Sequence, residues 1–225
     1  MDIRTVPNPL VRAGGRWLHR VNQRHPWSHN DHFHGWILRR LPAGRRRALD
    51  VGCGAGLLLS RLRGRFDEVL GVDADAAMAA ASAERFAGDP SVSVRHARFE
   101  DVDGAFDTIT MIAVLHHMPL EAALGHASEL LEPGGRLLVV GLARPDTVTD
   151  LVWEVVSSLL NPLVGMIKHP HPVTGPVDDA GPAMPVRDAA ETFTELARVV
   201  RRELPGARIR RRLFFRYTLE WTRPA

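Results

Sequence analysis

The chain has 225 residues, 45% of them hydrophobic and 24% charged, as in a globular protein with one large domain and a buried core. Basic residues number 29 against 26 acidic, a formal charge of +3, and all the basic residues but Lys168 are arginines, so the high isoelectric point reflects guanidinium chemistry rather than a charged tract. The basic runs at Arg45-Arg46-Arg47 and Arg208 to Arg212 lack interleaved aromatics or a recognition motif, which argues against a nucleic-acid partner, and the single cysteine, Cys53, excludes an internal disulfide.

In chain order, residues 1–44 read as a helical cap segment. Met1 to Gly15 is broken by prolines and arginines, unlike a signal peptide, and no apolar run reaches the roughly 18 residues of a membrane span. A cytoplasmic location without a membrane partner is therefore expected. Asn30 to Leu41 reads as a helix, with Phe33, Trp36, Ile37 and Leu41 on one face and Pro42 ending it. From 45 to 225 a second unit follows. Arg47 to Gly52, Glu68 to Asp73, Val92 to His96, Phe106 to Ile112 and Arg136 to Leu142 read as buried strands. Between them Asp75 can cap an alanine-rich helix to Phe86, Leu120 to Leu131 is amphipathic, and Gly134-Gly135 makes a turn. Such alternation predicts an α/β fold with a parallel sheet covered on both faces. Within this unit, 146–185 is an insertion: Thr149 to Leu160 reads as an apolar helix, and Lys168 to Pro185 as a lid over a site or a plain surface loop. After a helix from about Asp188 to Leu204, Pro205-Gly206 breaks the chain. Ala207 to Arg223 then alternates through Ile209, Leu213, Phe215, Tyr217, Leu219 and Trp221, predicting two strands that add an antiparallel strand to one edge.

The motif Leu49-Asp50-Val51-Gly52-Cys53-Gly54-Ala55-Gly56 ends the first strand and opens a helix, where glycines let the backbone turn sharply and a ligand approach main-chain amides. No G-K-[ST] follows, so this is not a phosphate-binding P-loop. About 20 residues on, the second strand ends Gly71-Val72-Asp73, with a carboxylate placed to accept hydrogen bonds from ribose hydroxyls. Up to this point NAD and S-adenosylmethionine fit equally.

The order of four segments, LDVGCGAG, GVDAD, FDTITMIAVLHHM and LLEPGGRLLVVG, resembles the class I S-adenosylmethionine-dependent methyltransferase family, densely from Arg46 to Gly141. The resemblance implies a Rossmann-like seven-stranded, mostly parallel sheet with an antiparallel last strand, and S-adenosylmethionine as cofactor. It also implies that Asp50, Gly52, Gly54 and Gly56 line the methionine side and that Asp73 holds the ribose. Cys53, Ala74 and Ile112 are counted with the cofactor-binding residues, Cys53 as a small residue packed in the loop rather than a nucleophile. The family commonly has an acid after the third strand to bind the adenine amino group, where this chain has Arg98. Either Glu100 or Asp101 takes that task, or the backbone at Phe99 does, which is the reading favoured here.

Methyl transfer from a sulfonium chiefly needs alignment of nucleophile, methyl and sulfur. A hydroxyl or ammonium acceptor gains further from a general base, and His116 and His117 follow the fourth strand at its carboxyl end, where ligands bind in such sheets. A cap or cofactor contact is the other reading of the pair. His25, His29, Asn30, His32 and His34 crowd the cap segment. Finishing a cap helix accounts for them, as does lining the cofactor's carboxylate or the acceptor pocket, with His29, Asn30, His32 and Trp153 the acceptor-side candidates. No cysteine or further spaced ligand joins the histidines, so no metal is expected. Trp36 and Met166 fit an acceptor pocket or core packing equally. The fourth strand lacks the Asn/Asp-Pro-Pro-aromatic motif of base-amino methylation, which points to a small-molecule acceptor methylated on oxygen, nitrogen or carbon. Monomer and homodimer both remain open. An NAD-dependent oxidoreductase is the alternative, weakened by the absence of a Tyr-x-x-x-Lys pair. A non-catalytic cofactor-binding protein of the same fold is a further one.

Overall fold

The computed structural model describes residues 28–168, 170–171 and 189–225; His25 and most of the stretch read as a lid or surface loop lie outside them. Seven strands form one sheet: β1 (Arg47–Val51), β2 (Glu68–Asp73), β3 (Val92–His96), β4 (Phe106–Ile112), β5 (Leu131–Gly141), β6 (Arg208–Arg212) and β7 (Arg216–Thr222). Their order is β3-β2-β1-β4-β5-β7-β6. The first five run parallel, and β7 is antiparallel to both its neighbours. The antiparallel strand thus lies one place in from the edge, which β6 occupies.

The inner parallel strands are legible as largely apolar runs because both faces of the sheet are covered there. Side chains alternate, and each alternate set has its own core. Leu49, Val51, Leu137 and Val139 pack with α5 (Leu120–Leu130) and α7 (Phe193–Glu203) on one face. Ala48, Leu138 and Val140 pack on the other with α2 (His34–Leu38) and α3 (Leu59–Leu62). Leu137 and Leu138 are both fully buried, each side chain contributing about 1.5–3 kcal/mol.

Helix starts follow capping chemistry. The Asp75 carboxylate accepts from the N–H groups of Ala77 and Met78 and opens α4 (Ala76–Arg85). Thr192 and Glu195 form a reciprocal capping box, which starts α7 at Phe193 rather than near Asp188 as the periodicity predicts. The helix expected over Asn30 to Leu41 is two pieces, α1 (His29–His32) and α2. The Phe33 N–H reaches back only three residues to the Asn30 carbonyl, at 3.0 Å, and the chain turns there.

The helix expected to end at Leu160 runs on as α6 (Val148–Lys168), with Pro162 inside it. Its 21 residues and a window hydropathy of 1.3 make it long and apolar enough to cross a membrane by length and composition. Counting unbroken apolar runs in the sequence misses this. Two of its polar side chains are tied to the terminal hairpin: Asp150 pairs with Arg211 at 2.5 Å, and the Ser157 hydroxyl accepts from the Phe214 N–H at 2.9 Å.

Candidate active site

Strands β1, β2 and β4 end at the rim of a cleft of about 620 Å³, inside the roughly 300–1,000 Å³ range of small-molecule sites. Gly52 and Gly54 line it from the loop after β1; Asp73, Ala74, Asp75 and Met78 from the end of β2 and the start of α4. Arg98, Phe99 and Glu100 follow β3, and Ile112, Ala113, Val114, His116, His117 and Met118 follow β4. Leu142, Asn30 and Arg216 complete the wall.

Asp73 is the most constrained polar group here. One carboxylate oxygen accepts from the Gly54 N–H at 2.8 Å, the other from the Asp75 N–H at 2.9 Å. Each oxygen keeps a second lone pair, so the carboxylate is held between two loops with acceptor capacity to spare. Gly54 has φ of +52°, and a Cβ there would meet nothing within 4 Å. Its glycine requirement comes from the left-handed turn and leaves its outer face open to a ligand. Ala113, just past β4, also sits at positive φ (+53°), a strained conformation for a residue with a Cβ.

Several expected residues support the cleft without lining it. Asp50 is buried beneath it, its carboxylate accepting from the Thr110 hydroxyl at 2.7 Å. Burial, with the Asp73 charge adding to it, raises its pKa from 3.8 to about 7 against that hydrogen bond. Between those two values the folded protein keeps a proton the unfolded chain releases, so this group's stabilising effect is lost as pH rises from about 4 to about 7. The apo D50N variant should therefore show a flatter dependence of melting temperature on pH between 5 and 8 than the parent; parallel profiles would contradict this assignment. Cys53 is buried, with burial first and the two aspartates next pushing its thiol up to about 12, which leaves no thiolate for nucleophilic work near neutral pH. Gly56 turns toward Ser82 and Phe86 rather than the cleft.

After β3, Arg98 is exposed and paired with Glu100 at 2.8 Å. The Phe99 ring is buried 4.9 Å from the His126 ring, so the main chain is what Phe99 offers the cleft. Asp101 is not in the lining. Beyond β4, the His116 and His117 rings lie 4.1 Å apart on a short 3-10 turn, Leu115–His117, with His117 exposed.

On the acceptor side the sequence and structure part. Of His29, Asn30, His32 and Trp153, only Asn30 lines the cleft. His29 stacks on Phe214 with centroids 5.7 Å apart, and His32 meets the same ring edge-on at 5.3 Å. His29 also bonds Asn161 of α6 at 2.8 Å. Burial lowers the pKa of both histidines, most directly suiting neutral packing groups. Trp153 borders a separate cavity of about 60 Å³ with Phe215, Arg211 and Arg216. Trp36 belongs to the core and Met166 lies outside the cleft. Among the described residues, no group of three or more His, Cys, Asp or Glu side chains is placed to hold a metal. Sequence reasoning missed Arg216, which borders both cavities.

A family model described as a methyltransferase domain matches residues 49–137. An uncharacterized methyltransferase of Mycobacterium bovis is 34% identical over 207 residues, spanning 88% of this chain and 98% of the relative. The chain belongs to the class I S-adenosylmethionine-dependent methyltransferases. The methyltransferase's cofactor is accordingly S-adenosylmethionine, and the nicotinamide alternative falls with that assignment. A ubiquinone biosynthesis O-methyltransferase of Paracidovorax citrulli is 35% identical, but over only 45% of each chain. The fold is shared with magnesium protoporphyrin IX methyltransferase from Synechocystis with bound S-adenosylhomocysteine (TM-score 0.54, 19% identity, 97% of this chain and 88% of that one). It is shared also with N-methyltransferase NodS from Bradyrhizobium japonicum in complex with the same product (TM-score 0.56, 16% identity, 93% and 98%).

Proposed function

We propose that this methyltransferase transfers the methyl group to a small-molecule acceptor bound in the half of the cleft beyond β4. The observation that carries the reading is the Asp73 carboxylate, fixed at the cleft wall by the Gly54 and Asp75 amides, directly beside the open Gly54 turn. In that position it accepts the ribose hydroxyls, with Ala74 beside it. The Phe99 main chain meets the adenine edge, and Gly52, Gly54 and Ile112 border the methionine side. Asp50, Cys53 and Gly56 act from beneath, by holding the loop's shape.

S-adenosylmethionine bound there supplies a methyl group on an already activated sulfonium. The protein's remaining task is to exclude water and to align the acceptor, which Val114, Met118 and Leu142 do with apolar surface. His116 and His117 stand where the acceptor's reacting atom arrives, and His117, the more exposed, takes the proton from a hydroxyl or ammonium acceptor. H117A is expected to lower turnover at least about tenfold while changing S-adenosylhomocysteine affinity less than about twofold. Comparable losses in both, measured by steady-state kinetics and calorimetry, would make the histidine a cofactor contact instead.

A further inference from the structure

Arg216 begins β7, directly after a hairpin tip whose Phe214 and Phe215 lie at φ of +63° and +59°. Two successive left-handed phenylalanines are costly, at about 1–3 kcal/mol each, and glycine or asparagine normally fills such positions. The tip is nevertheless firmly held. The Phe214 ring is buried against His29 and His32, and its N–H is bound by Ser157. The outcome of this strained turn is that Arg216 enters the cleft wall.

The guanidinium there is largely withdrawn from water, and burial holds its pKa down at about 10. Its partners are all uncharged. Nη2 donates to the Asn30 side-chain oxygen at 3.0 Å, while Nη1 reaches the Phe214 and Phe215 carbonyls at 3.5 and 3.4 Å. Among the described residues, Nε has no hydrogen-bond partner and no carboxylate pairs with the group. A half-buried cation aimed by an amide and two carbonyls, but not neutralised among the described residues, favours an incoming anion.

The sheet order says which ligand brings it. Asp73 closes β2, and the sequence of neighbours from there is β1, β4, β5, β7. At about 4.8 Å per strand, Arg216 stands two spacings past β4, which leads to the two histidines, and on the opposite side of it from Asp73. Leu142, at the end of β5, fills the interval.

We propose that Arg216 anchors a carboxylate of the methyl acceptor, so that the substrates are carboxylic acids whose apolar body lies against Val114, Met118 and Leu142. This rests on the reading of the far half of the cleft as the acceptor site. The planar fork suits a two-point grip on a carboxylate, with Asn30 setting its plane.

The test is saturation-transfer NMR on protein saturated with S-adenosylhomocysteine, using octanoate against octanamide and phenylacetate against phenylacetamide. The parent protein should bind each acid at least about tenfold tighter than its amide. R216Q should abolish that preference, R216K should retain part of it, and N30A, which spares the charge, should cut it about threefold. S-adenosylhomocysteine affinity, read separately by calorimetry, should stay within about twofold in all three variants. Acids binding no tighter than amides to the parent, or a preference that R216Q leaves unchanged, overturns the proposal. So does an R216Q variant that loses the cofactor product as strongly as the acids, since the guanidinium would then serve the cofactor's own carboxylate. A parent protein that takes the acids but not S-adenosylhomocysteine would leave Arg216 as an anion site and remove the acceptor reading beneath it.

Discussion

Asp73→Ala is expected to weaken S-adenosylmethionine and S-adenosylhomocysteine binding by at least about tenfold. Two effects combine. The ribose hydroxyls lose a charged acceptor, and hydrogen bonds to charged groups contribute about 1.5–3 kcal/mol. The Gly54 and Asp75 amides, each now bonded to a carboxylate oxygen, also lose their partner, which frees the turn that frames the cofactor side. Asp73→Asn separates the two. Its single carbonyl can satisfy one amide but not both, so binding should fall between the parent and the alanine variant. Calorimetric titration reads the series directly, and an alanine variant with parental affinity would remove Asp73 from the site.

Gly52→Ala should cost both stability and cofactor affinity. The residue sits at φ of +67°, where a side chain costs about 1–2 kcal/mol. A Cβ there would lie 2.6 Å from Cγ2 of Val114 and 2.9 Å from its Cβ, which real contacts do not reach. Val114 lies in the segment that leads from β4 to His116 and His117, so the displacement is passed to the proposed reacting end of the cleft. The G52A/V114A double variant removes the clash and leaves the backbone cost. It should recover part of the lost melting temperature and part of the lost affinity, and purely additive losses would show that Val114 is not the obstacle.

The inner parallel strands were legible because they are covered on both faces and read as largely apolar runs, whereas the mostly exposed edge strand β3 showed only the alternation of Val92 and Val94. Glu68–Asp73, Val92–His96 and Phe106–Ile112 begin and end where the residues alone put them. The glycine motif was less transparent. Its letters announce a tight turn after β1, but not that Gly54 opens to the cleft while Gly56 and Cys53 turn toward Ser82. In a loop of that shape, neighbouring residues face ligand and core alternately, and the spacing alone does not say which.

The acceptor side was the least readable for a physical reason. Asn30 meets Arg216 across 186 residues of sequence, and His29 meets Phe214 across nearly as many, so no local pattern ties them. The turn that delivers Arg216 is built from two phenylalanines where turn chemistry leads one to look for glycine or asparagine. Histidines crowded in one short segment suggested a site, whereas His29 and His32 pack on the hairpin tip and Arg216 stands in the cleft. The break at Phe33 and the reciprocal cap at Thr192 likewise depend on individual hydrogen bonds that hydrophobic periodicity does not encode.

Parallel calorimetric titrations of the purified protein with S-adenosylmethionine, S-adenosylhomocysteine and NAD test the central assignment most directly. Saturable, micromolar binding of the first two is expected, lost together in Asp73→Ala, with no heat of binding for NAD. Binding of NAD alone, or adenosyl-ligand binding that ignores Asp73, would contradict it.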